Sequence, residues 1–234
     1  MNISTAKVLI TGGSSGIGYE TAKQLIALGA KVAICGRHYD RLQKAAAEIG
    51  ALPIHADVSQ EEDVKGMVQT VIETFGGFNV LINNAAYGYF SPLTDLSTQQ
   101  FQELLATNVV GAMMAGREAA TYFVSQDYGN IVNISSTAGL SGFAGGTAYV
   151  ASKFALKGMT ECWRQELRKH NIRVMLVNPS EVQTNFVANS GRPARDFSES
   201  KMEASEIAHT IVSMLQLRDV GFITEATVWA TNPQ

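Results

Sequence analysis

The stretch Lys7-Val-Leu-Ile-Thr-Gly-Gly-Ser-Ser-Gly-Ile-Gly18 decides the fold. Its first five residues form a short apolar, β-branched run, which indicates a buried strand. A glycine-rich turn follows, and the apolar positions of residues 19–28 predict a helix that stops at Gly29. A strand, a tight turn and a helix in this order are typical of the first unit of a parallel sheet.

The alternation of strand and helix continues along the chain. We predict further strands at 31–35, 52–56, 80–82, from 129, 172–177 and within 222–229, and helices at 40–49, up to 75, 98–123, 147–169 and 204–217. Ser59 and Glu62 have the spacing of a capping box for the helix that ends near Phe75. The connections are too long for hairpins, so the sequence predicts an α/β fold, with one doubly wound parallel sheet, helices on both faces and a single domain over residues 1–234.

Composition narrows the class of protein. Of 234 residues, 46% are hydrophobic and 17% charged, with a net charge of -3. This balance fits a packed core and gives no electrostatic reason to expect nucleic acid or an anionic membrane as a partner. Cys35 and Cys162 lie far apart, which disfavours a disulfide framework or a metal site. No apolar run approaches the roughly 18 residues of a membrane span, so we expect a cytoplasmic protein.

The turn reads Thr11-Gly12-x-x-x-Gly16-x-Gly18. Glycine lets a ligand approach the backbone, and the start of the following helix offers free N–H groups and a positive dipole end to a pyrophosphate. The spacing differs from GxGxxG and lacks the lysine of a P-loop. A tight turn without function is the alternative, but the strand and helix on either side favour a dinucleotide site.

The second strand ends in Cys35-Gly36-Arg37. An acid at this point binds the adenosine ribose of NAD, whereas an arginine accommodates the 2′-phosphate of NADP. Arg37 therefore favours NADP, with hydroxyl contacts from Ser14 and Ser15, although a solvated surface arginine is the alternative. Asp57 and Val58 follow the third strand and could contact the adenine, unless Asp57 merely belongs to the turn.

Asparagines mark two further places. Asn83-Asn84-Ala85-Ala86 follows the fourth strand, where small residues would let a cofactor lie against the strand end and amides could equally tie strands together. Asn108 interrupts an apolar helix, which predicts a local kink, a buried water or a solvent-facing position.

The stretch 131–153 contains the candidate chemistry. A strand ends in Ser135 and Ser136, a glycine-rich loop follows, and a helix begins that carries Tyr149 and Lys153. Residues at i and i+4 share one helix face. Alternation along a strand turns the two serines to opposite faces, so one of them at most belongs to the site.

The tyrosine–lysine spacing alone is weak evidence, because Tyr19 and Lys23 have the same separation. That pair has no serine-ended strand before it, and we interpret it as chance. At the second pair, a nearby ammonium and an oxidised nicotinamide should both stabilise the phenolate and so lower the pKa of Tyr149 toward working pH. Tyr149 could then exchange a proton with an alcohol or carbonyl, while Ser136 donates a hydrogen bond to the carbonyl oxygen.

Taken together and in this order, these motifs resemble the short-chain dehydrogenase/reductase family over nearly the whole chain. The resemblance implies a catalytic set of Ser136, Tyr149, Lys153 and Asn108, and it selects Ser136 over Ser135. It also implies that Lys153 binds the nicotinamide ribose and that Asn108 holds a water in a proton relay. The cofactor positions that it implies are Gly12, Ser14, Ser15, Gly16, Ile17, Gly18, Asn84, Ala85, Tyr149, Lys153, Pro179 and Thr184.

The chain departs from the family's pattern in three places. Ala86 and Ser180 replace glycines, and the C-terminus lacks a glycine pair that many members carry. The last departure favours NADP-dependent carbonyl reductases or hydroxy-acid dehydrogenases over acyl-carrier-protein reductases. The resemblance also implies a homodimer or homotetramer, with Trp163 either an interface anchor or a core residue.

Three loops should form the substrate pocket, because ligands of such folds lie beyond the carboxyl ends of the strands. Tyr87, Phe90, Phe143 and Phe186 are candidates for an apolar lining. Residues 179–204 have the composition of a mobile lid, in which Arg192 and Arg195 are either acid-binding or simply solvated.

The leading hypothesis is an NADP(H)-dependent oxidoreductase that interconverts a small-molecule ketone or aldehyde and its alcohol. The alternative from another class is a non-catalytic sensor or scaffold that binds NADP without turnover. A third hypothesis is an enzyme that uses the nucleotide for epimerisation or dehydration.

Overall fold

The computed structural model describes residues 1–186, 190 and 196–232. Nine strands occur in this part of the chain: β1 Lys7–Thr11, β2 Lys31–Gly36, β3 Leu52–His55, β4 Val80–Asn83, β5 Gly129–Ile134, β6 Ile172–Pro179, β7 Val182–Gln183, β8 Met202–Glu203 and β9 Glu225–Val228. The α-helices there are α1 Gly16–Ala27, α2 Tyr39–Ile49, α3 Glu61–Phe75, α4 Thr98–Leu105, α5 Ala112–Gln126, α6 Thr147–Leu167 and α7 Ala204–Gln216.

Seven strands form one parallel sheet in the order β3-β2-β1-β4-β5-β6-β9. The direction of winding reverses between β1 and β4, which lie side by side in the sheet. This arrangement confirms the predicted doubly wound α/β fold. Ligands of such sheets bind at the carboxyl ends of the strands on either side of the reversal.

Alternate residues of the strands enter two separate cores, because successive side chains point to opposite faces. On β1, Val8 and Ile10 pack with α1, α2 and α7, while Leu9 packs with α3 and α5. Helix α6 lies on the second face and contributes Trp163 to that core. Both faces of the sheet are therefore covered.

Helix α1 begins at Gly16, three residues before the predicted start. The glycines at 16 and 18 carry no apolar side chain, so they add nothing to the periodic pattern from which a helix is predicted. The helix thus starts directly behind the glycine turn.

The predicted helix from Thr98 contains a π-helical segment, Ala106–Gly111, between α4 and α5. Such a segment widens one turn without ending the helix, and it commonly occurs at functional sites. Asn108 lies in its middle and is buried. At Asn108 the predicted local deformation therefore occurs, and the solvent-facing alternative is wrong.

The capping box predicted at Ser59 is wrong. Helix α3 starts at Glu61, and the Ser59 hydroxyl and N–H donate to the carboxylate of Asp57 instead, at 2.8 and 2.9 Å. Gln60, one residue later, is the N-cap of α3, so Ser59 lies outside the helix and its side chain takes part in the turn at Asp57. A capping box does occur at α7, between Glu203 and Glu206.

The segment predicted as a lid, 179–204, is anchored at both ends. Its two short strands, β7 and β8, pair in parallel, Val182 with Met202 and Gln183 with Glu203. Arg192 and Arg195 lie outside the described residues.

The indole ring of Trp163 packs against helix α5. A Cβ built on Gly116 of α5 would lie only 2.7 Å from the indole Cη2 of Trp163. The half-buried ring therefore rests on the α5 backbone, and a role of Trp163 at a subunit interface stays a prediction.

Neither a membrane-spanning helix nor a metal-binding cluster occurs among the described residues. Their helices are all too short or too polar to cross a membrane. The same part of the chain holds no group of three or more His, Cys, Asp or Glu side chains arranged to bind a metal ion.

Candidate active site

A cleft of about 760 Å³ opens at the carboxyl ends of the strands, over the β1–β4 reversal. The predicted site residues that line it are Gly12, Ser14, Ser15, Gly16, Ile17, Arg37, Val58, Asn84, Ala85, Tyr87, Ser136, Phe143, Tyr149, Lys153, Pro179, Thr184 and Phe186. Gly18, Asp57 and Asn108 are the predicted site residues that do not line it. One connected cleft thus joins the glycine turn to the serine–tyrosine–lysine cluster.

The glycine turn brings backbone to the cleft surface. Gly12 and Gly16 have φ values of 65° and 57°, a left-handed conformation in which glycine is strongly favoured. A Cβ on Gly12 would lie 2.9 Å from Cα of Ala85, and one on Gly16 would lie 3.3 Å from the methyl group of Thr184. Side chains at these positions would close the approach to the start of α1.

Asn84 ties the glycine turn to the end of β4. Its Nδ2 donates to the carbonyl oxygens of Thr11 and Gly12 at 3.0 and 2.9 Å. The hydroxyl of Thr11 in turn accepts from the N–H groups of Asn84 and Ala85. Asn84 therefore holds the two strand ends together and also lines the cleft.

Gly18 has a packing role beneath the turn. A Cβ there would lie 2.5 Å from Nδ2 of Asn84 and 2.7 Å from the Gly12 carbonyl oxygen. Because Gly18 has no side chain, α1 can pack against the hydrogen bonds that Asn84 makes to the glycine turn. Gly18 does not line the cleft, so it would affect a ligand only through the position of that turn.

Two arginines line the cleft beyond β2. Arg37 follows β2 as expected, and Arg41 lies on the first turns of α2. Both side chains are exposed, and His38 lies between them in sequence. The sequence analysis missed Arg41, although its separation of four residues from Arg37, with a helix starting at Tyr39, was a usable signal.

Asp57 belongs to the turn after β3 rather than to the cleft. Its Oδ1 accepts from Ser59, and its N–H donates to Oδ2 of Asp63 at 2.8 Å. Its neighbour Val58 does line the cleft. Asp57 therefore has the position predicted by the second of the two interpretations, as a residue of the turn that does not border the cleft.

Ser136 and Tyr149 meet at the end of β5. The Ser136 hydroxyl lies near the phenol of Tyr149, whose pKa it lowers, and it accepts from the N–H of Ala138 at 3.1 Å. Ser135 also borders the cleft, but it is buried and its hydroxyl donates to the Lys153 carbonyl oxygen at 3.4 Å. The geometry therefore agrees with the selection of Ser136.

Lys153 lies beneath the tyrosine and is 3% exposed. Its Nζ donates to the carbonyl oxygen of Ile134 at 2.9 Å and lies 5.6 Å from the centre of the Tyr149 ring. Burial lowers the pKa of Lys153 to about 8, because desolvation disfavours the ammonium.

The expected fall in the pKa of Tyr149 does not occur within the protein alone. Burial raises the pKa of the phenol to about 12, and the hydrogen bond from Ser136 offsets only part of that rise. Desolvation of the phenolate is the main cause. The fall predicted from the sequence also counts the charge of an oxidised nicotinamide, so it remains a prediction for the site with its cofactor bound. Tyr149 consequently holds its proton at neutral pH.

Asn108 joins two walls of the site through its side chain. Its Oδ1 accepts from the Tyr87 N–H at 3.0 Å, and its Nδ2 donates to the Tyr87 carbonyl oxygen and to the Ser152 hydroxyl at 2.9 and 3.1 Å. Ser152 then donates to the carbonyl oxygen of Tyr149 at 2.7 Å. The amide thus fixes the loop after β4 against the helix that carries Tyr149.

The pair Tyr19 and Lys23 lies away from the cleft, as the sequence analysis concluded. The phenol of Tyr19 donates to Glu48 at 3.1 Å, and Lys23 pairs with Glu20 at 3.5 Å. Both interactions are on the surface.

Aromatic rings lie around Tyr149 where it borders the cleft. Phe90 and Phe186 lie 5.6 and 5.4 Å from its ring centre, and Phe143 lies 6.0 Å from Phe90. Phe90 was a pocket candidate in the sequence, whereas Trp229, which also lines the cleft, was not foreseen.

The chain matches the short chain dehydrogenase family over residues 6–194, and it belongs to that family. The family match and the relatives that follow identify the chain as an oxidoreductase of this family. An uncharacterized oxidoreductase of Staphylococcus epidermidis is 29% identical over 94% of this chain and 95% of its own length. Another from Bacillus subtilis is 34% identical over 76% of this chain and 52% of its own length.

Solved structures agree in fold. An alcohol dehydrogenase from the archaeon Thermococcus sibiricus, complexed with 5-hydroxy-NADP, superposes with a TM-score of 0.88 at 27% identity over 98% of both chains. Levodione reductase superposes with a TM-score of 0.86 at 27% identity, over 97% of this chain and 95% of its own.

The cleft fits the nicotinamide dinucleotide that the family uses. Gly12 and Gly16 leave the backbone bare at the start of α1, and within the described residues no side chain caps that helix end. The free N–H groups and the dipole there suit a pyrophosphate. Thr184 and Pro179 border the same cleft on its far wall.

Proposed function

We propose that the protein is an NADP(H)-dependent oxidoreductase that interconverts a ketone or aldehyde and its alcohol. The observation that carries the proposal is the convergence of Ser136, Tyr149 and Lys153 at one end of a cleft that begins at the glycine turn. The nicotinamide, when bound, supplies or accepts the hydride.

The protein's own groups perform the proton chemistry. Tyr149, protonated because burial raises its pKa to about 12, donates its proton to the carbonyl oxygen as negative charge develops there. Ser136 orients the phenol and donates a hydrogen bond to the same oxygen. Lys153, held by the Ile134 carbonyl, supplies the positive charge that stabilises the phenolate left behind.

The preference for NADP rests on two guanidinium groups. Arg37 and Arg41 border the cleft where the adenosine ribose of a dinucleotide would lie, beyond β2. Arginine binds phosphate in a bidentate manner, and this part of the cleft is lined by Gly36 where NAD-binding proteins have an acid.

Activity on a panel of small carbonyl compounds with NADPH and NADH in parallel tests this function. We expect oxidation of NADPH at a higher kcat/KM than NADH. In Tyr149→Phe, kcat should fall by about 10²–10⁴-fold, because the proton donor is gone while the ring remains. Tight NADPH binding without turnover of any carbonyl would instead support a sensor or scaffold, and turnover without net cofactor oxidation would indicate epimerisation or dehydration.

Retention of NADPH binding in Tyr149→Phe is the control, measured by calorimetry. Full turnover in that variant would contradict the mechanism.

We also propose a cytoplasmic homodimer or homotetramer. Val110 beside α5 and Phe154 on α6 are 43% and 46% exposed, and apolar surface of this kind suits a helix-mediated interface. Sedimentation of a monomer at micromolar concentration would contradict the proposal.

A further inference from the structure

Three phenylalanines from separate segments lie around Tyr149 where it borders the cleft. Phe90 comes from the loop after β4, Phe143 from the loop before α6, and Phe186 from the segment after β7. Their ring centres lie within 5.4–6.0 Å of Tyr149 or of each other. We call Phe90, Phe143 and Phe186 the aromatic box.

Two glycines hold the rings of the aromatic box in place. A Cβ on Gly88 would lie 2.8 Å from the Phe90 ring and 2.9 Å from the Phe186 ring. A Cβ on Gly146 would lie 2.7 Å from the Phe143 ring. Each ring rests directly on backbone, so the width of the box depends on the absence of side chains at both glycines.

The aromatic box presents apolar surface to the cleft. Phe143 is 49% exposed and lines the cleft, and its exposed surface is available to a ligand. Covering apolar surface is favourable in proportion to the area removed from water, and aromatic rings gain further from edge or offset contacts with each other. A flat, apolar group is the ligand that fills such a space best.

Charge near the box disfavours an anionic substrate. Among the described residues that line the cleft, the basic ones are Arg37, His38, Arg41 and Lys153. The first three follow β2, which lies three strands from β5, or roughly 14 Å at ordinary strand spacing. Lys153 is buried and already donates to a carbonyl oxygen. The acid Glu181, which is paired with Lys201 at 3.4 Å, lines the same cleft.

We infer that the site accepts neutral carbonyl compounds that carry an aromatic ring next to the carbonyl, and discriminates against carboxylate-bearing ones. The ring lies in the aromatic box, with the carbonyl oxygen at Ser136 and Tyr149. Gly88 and Gly146 determine how broad a group fits. The inference rests on the proposed function and adds the substrate class to it.

Three matched substrates separate the ring from the charge. Ethyl benzoylformate has both a ring and an ester, benzoylformate replaces the ester by a carboxylate, and ethyl pyruvate replaces the ring by a methyl group. With NADPH we expect kcat/KM for ethyl benzoylformate to exceed that for each of the others by about tenfold or more, the usual effect of filling or missing an apolar pocket. Equal or higher values for benzoylformate or ethyl pyruvate would overturn the inference.

Variants of the box provide the matched comparison. Gly88→Ala pushes on Phe90 and Phe186 and should lower the ratio of kcat/KM for ethyl benzoylformate over ethyl pyruvate by about tenfold. Gly142→Ala is the control, since a Cβ there meets only Val150 at 4.0 Å, and it should keep the ratio. Phe143→Ala changes a half-exposed side chain, so it should fold, and it should lower the ratio as well. An unchanged ratio in Phe143→Ala would contradict the role of the box.

A binding measurement distinguishes failure of the inference from failure of the proposed function. Calorimetry of Tyr149→Phe loaded with NADPH should show tighter binding of ethyl benzoylformate than of ethyl pyruvate. Selective binding with no turnover in the wild type would leave the inference standing and overturn the function. Turnover without selective binding would overturn the inference alone.

Discussion

Lys153 is a buried cation whose environment works against its charge. It is 3% exposed, and within the described residues no carboxylate lies within ion-pair distance of it. The carbonyl oxygen of Ile134 and the face of Tyr149 are its polar contacts. Holding an ammonium there costs stability, which proteins commonly accept at functional sites.

The pH dependence of stability should report this cost. Folding lowers the pKa of Lys153 to about 8, whereas the unfolded chain keeps its proton up to about 10.4. Between these values the unfolded state binds more protons, so this group makes the free energy of unfolding rise with pH. From pH 7.5 to 9.5 we expect wild type to gain about 2 kcal/mol relative to Lys153→Met, measured by urea unfolding.

The comparison stops at pH 9.5 because Tyr149 acts in the opposite direction. Folding raises its pKa to about 12, so its contribution to stability is lost as pH rises above about 10. Identical pH profiles for wild type and Lys153→Met would contradict a buried, destabilised ammonium.

Arg41 adds a second guanidinium to the cleft beyond β2. If it binds the 2′-phosphate with Arg37, Arg41→Ala should lower kcat/KM for NADPH by about tenfold and leave NADH nearly unchanged, because a charge-assisted phosphate contact contributes about 1.4 kcal/mol. Lys44→Ala is the matched control, since Lys44 is exposed on α2 but does not line the cleft. Equal effects on both cofactors would argue for a structural role of Arg41.

At the scale of elements, the π-helical segment 106–111 positions the site. It turns Asn108 inward, where the amide bonds Tyr87 and Ser152. Asn108→Ala would leave buried backbone groups of Tyr87 unpaired, and we expect a loss of about 2–3 kcal/mol in the free energy of unfolding, measured in urea.

Thr121→Ala is the control on the same helical run. Thr121 is exposed, and its hydroxyl bonds only the local carbonyl of Arg117, so its loss should change stability by less than about 0.5 kcal/mol. A similar loss of stability in both variants would mean that the hydrogen bonds of Asn108 to Tyr87 and Ser152 contribute no more than a surface side chain does.

Elements were predictable where the apolar period is strong. The parallel strands and the helix over 147–167 follow directly from it. The π-helical segment was not predictable, because inserting one residue in a turn barely alters the pattern of apolar positions. The capping box predicted at Ser59 was wrong because α3 starts one residue later, with Gln60 as its N-cap, while Ser59 belongs to the turn at Asp57.

At the scale of the whole molecule, the order of the strands creates the site. Because β4 lies beside β1, Asn84 reaches the glycine turn and covers Gly18. Gly18→Ala would place a methyl group 2.5 Å from Nδ2 of Asn84. We expect it to lower stability by about 1–3 kcal/mol and to weaken NADPH binding, measured as a smaller rise in Tm on adding NADPH.

Gly158→Ala on α6 is the matched control. A Cβ there meets nothing within 4 Å, so the change should raise stability by about 0.5–1 kcal/mol and leave the NADPH-induced shift intact. If NADPH raised the Tm of Gly18→Ala as much as that of the wild type, the hydrogen bonds of Asn84 between β1 and β4 would tolerate the added methyl group.

The candidate site was predictable where local sequence carries the signal. Gly12, Tyr149 and Lys153 were identified from the glycine turn and from the sequence context of the helix, and the family resemblance selected Ser136. All four line the cleft. Gly88 was not, because its importance comes from rings that belong to distant segments. The rise in the pKa of Tyr149 to about 12 in the protein alone was not predictable, because the depth of burial is a property of the packed chain.

The sequence by itself determined the class of fold, the parallel sheet and the family, because periodicity, glycine turns and the tyrosine–lysine helix are encoded by residues close together in the chain. The tertiary structure alone decided which groups meet. It gave Asn108 its partners, added Arg41 to the cleft, excluded Asp57 from it and closed three phenylalanines around Tyr149. The physical reason is that burial, charge and contact at this site arise between segments brought together only when β4 pairs with β1.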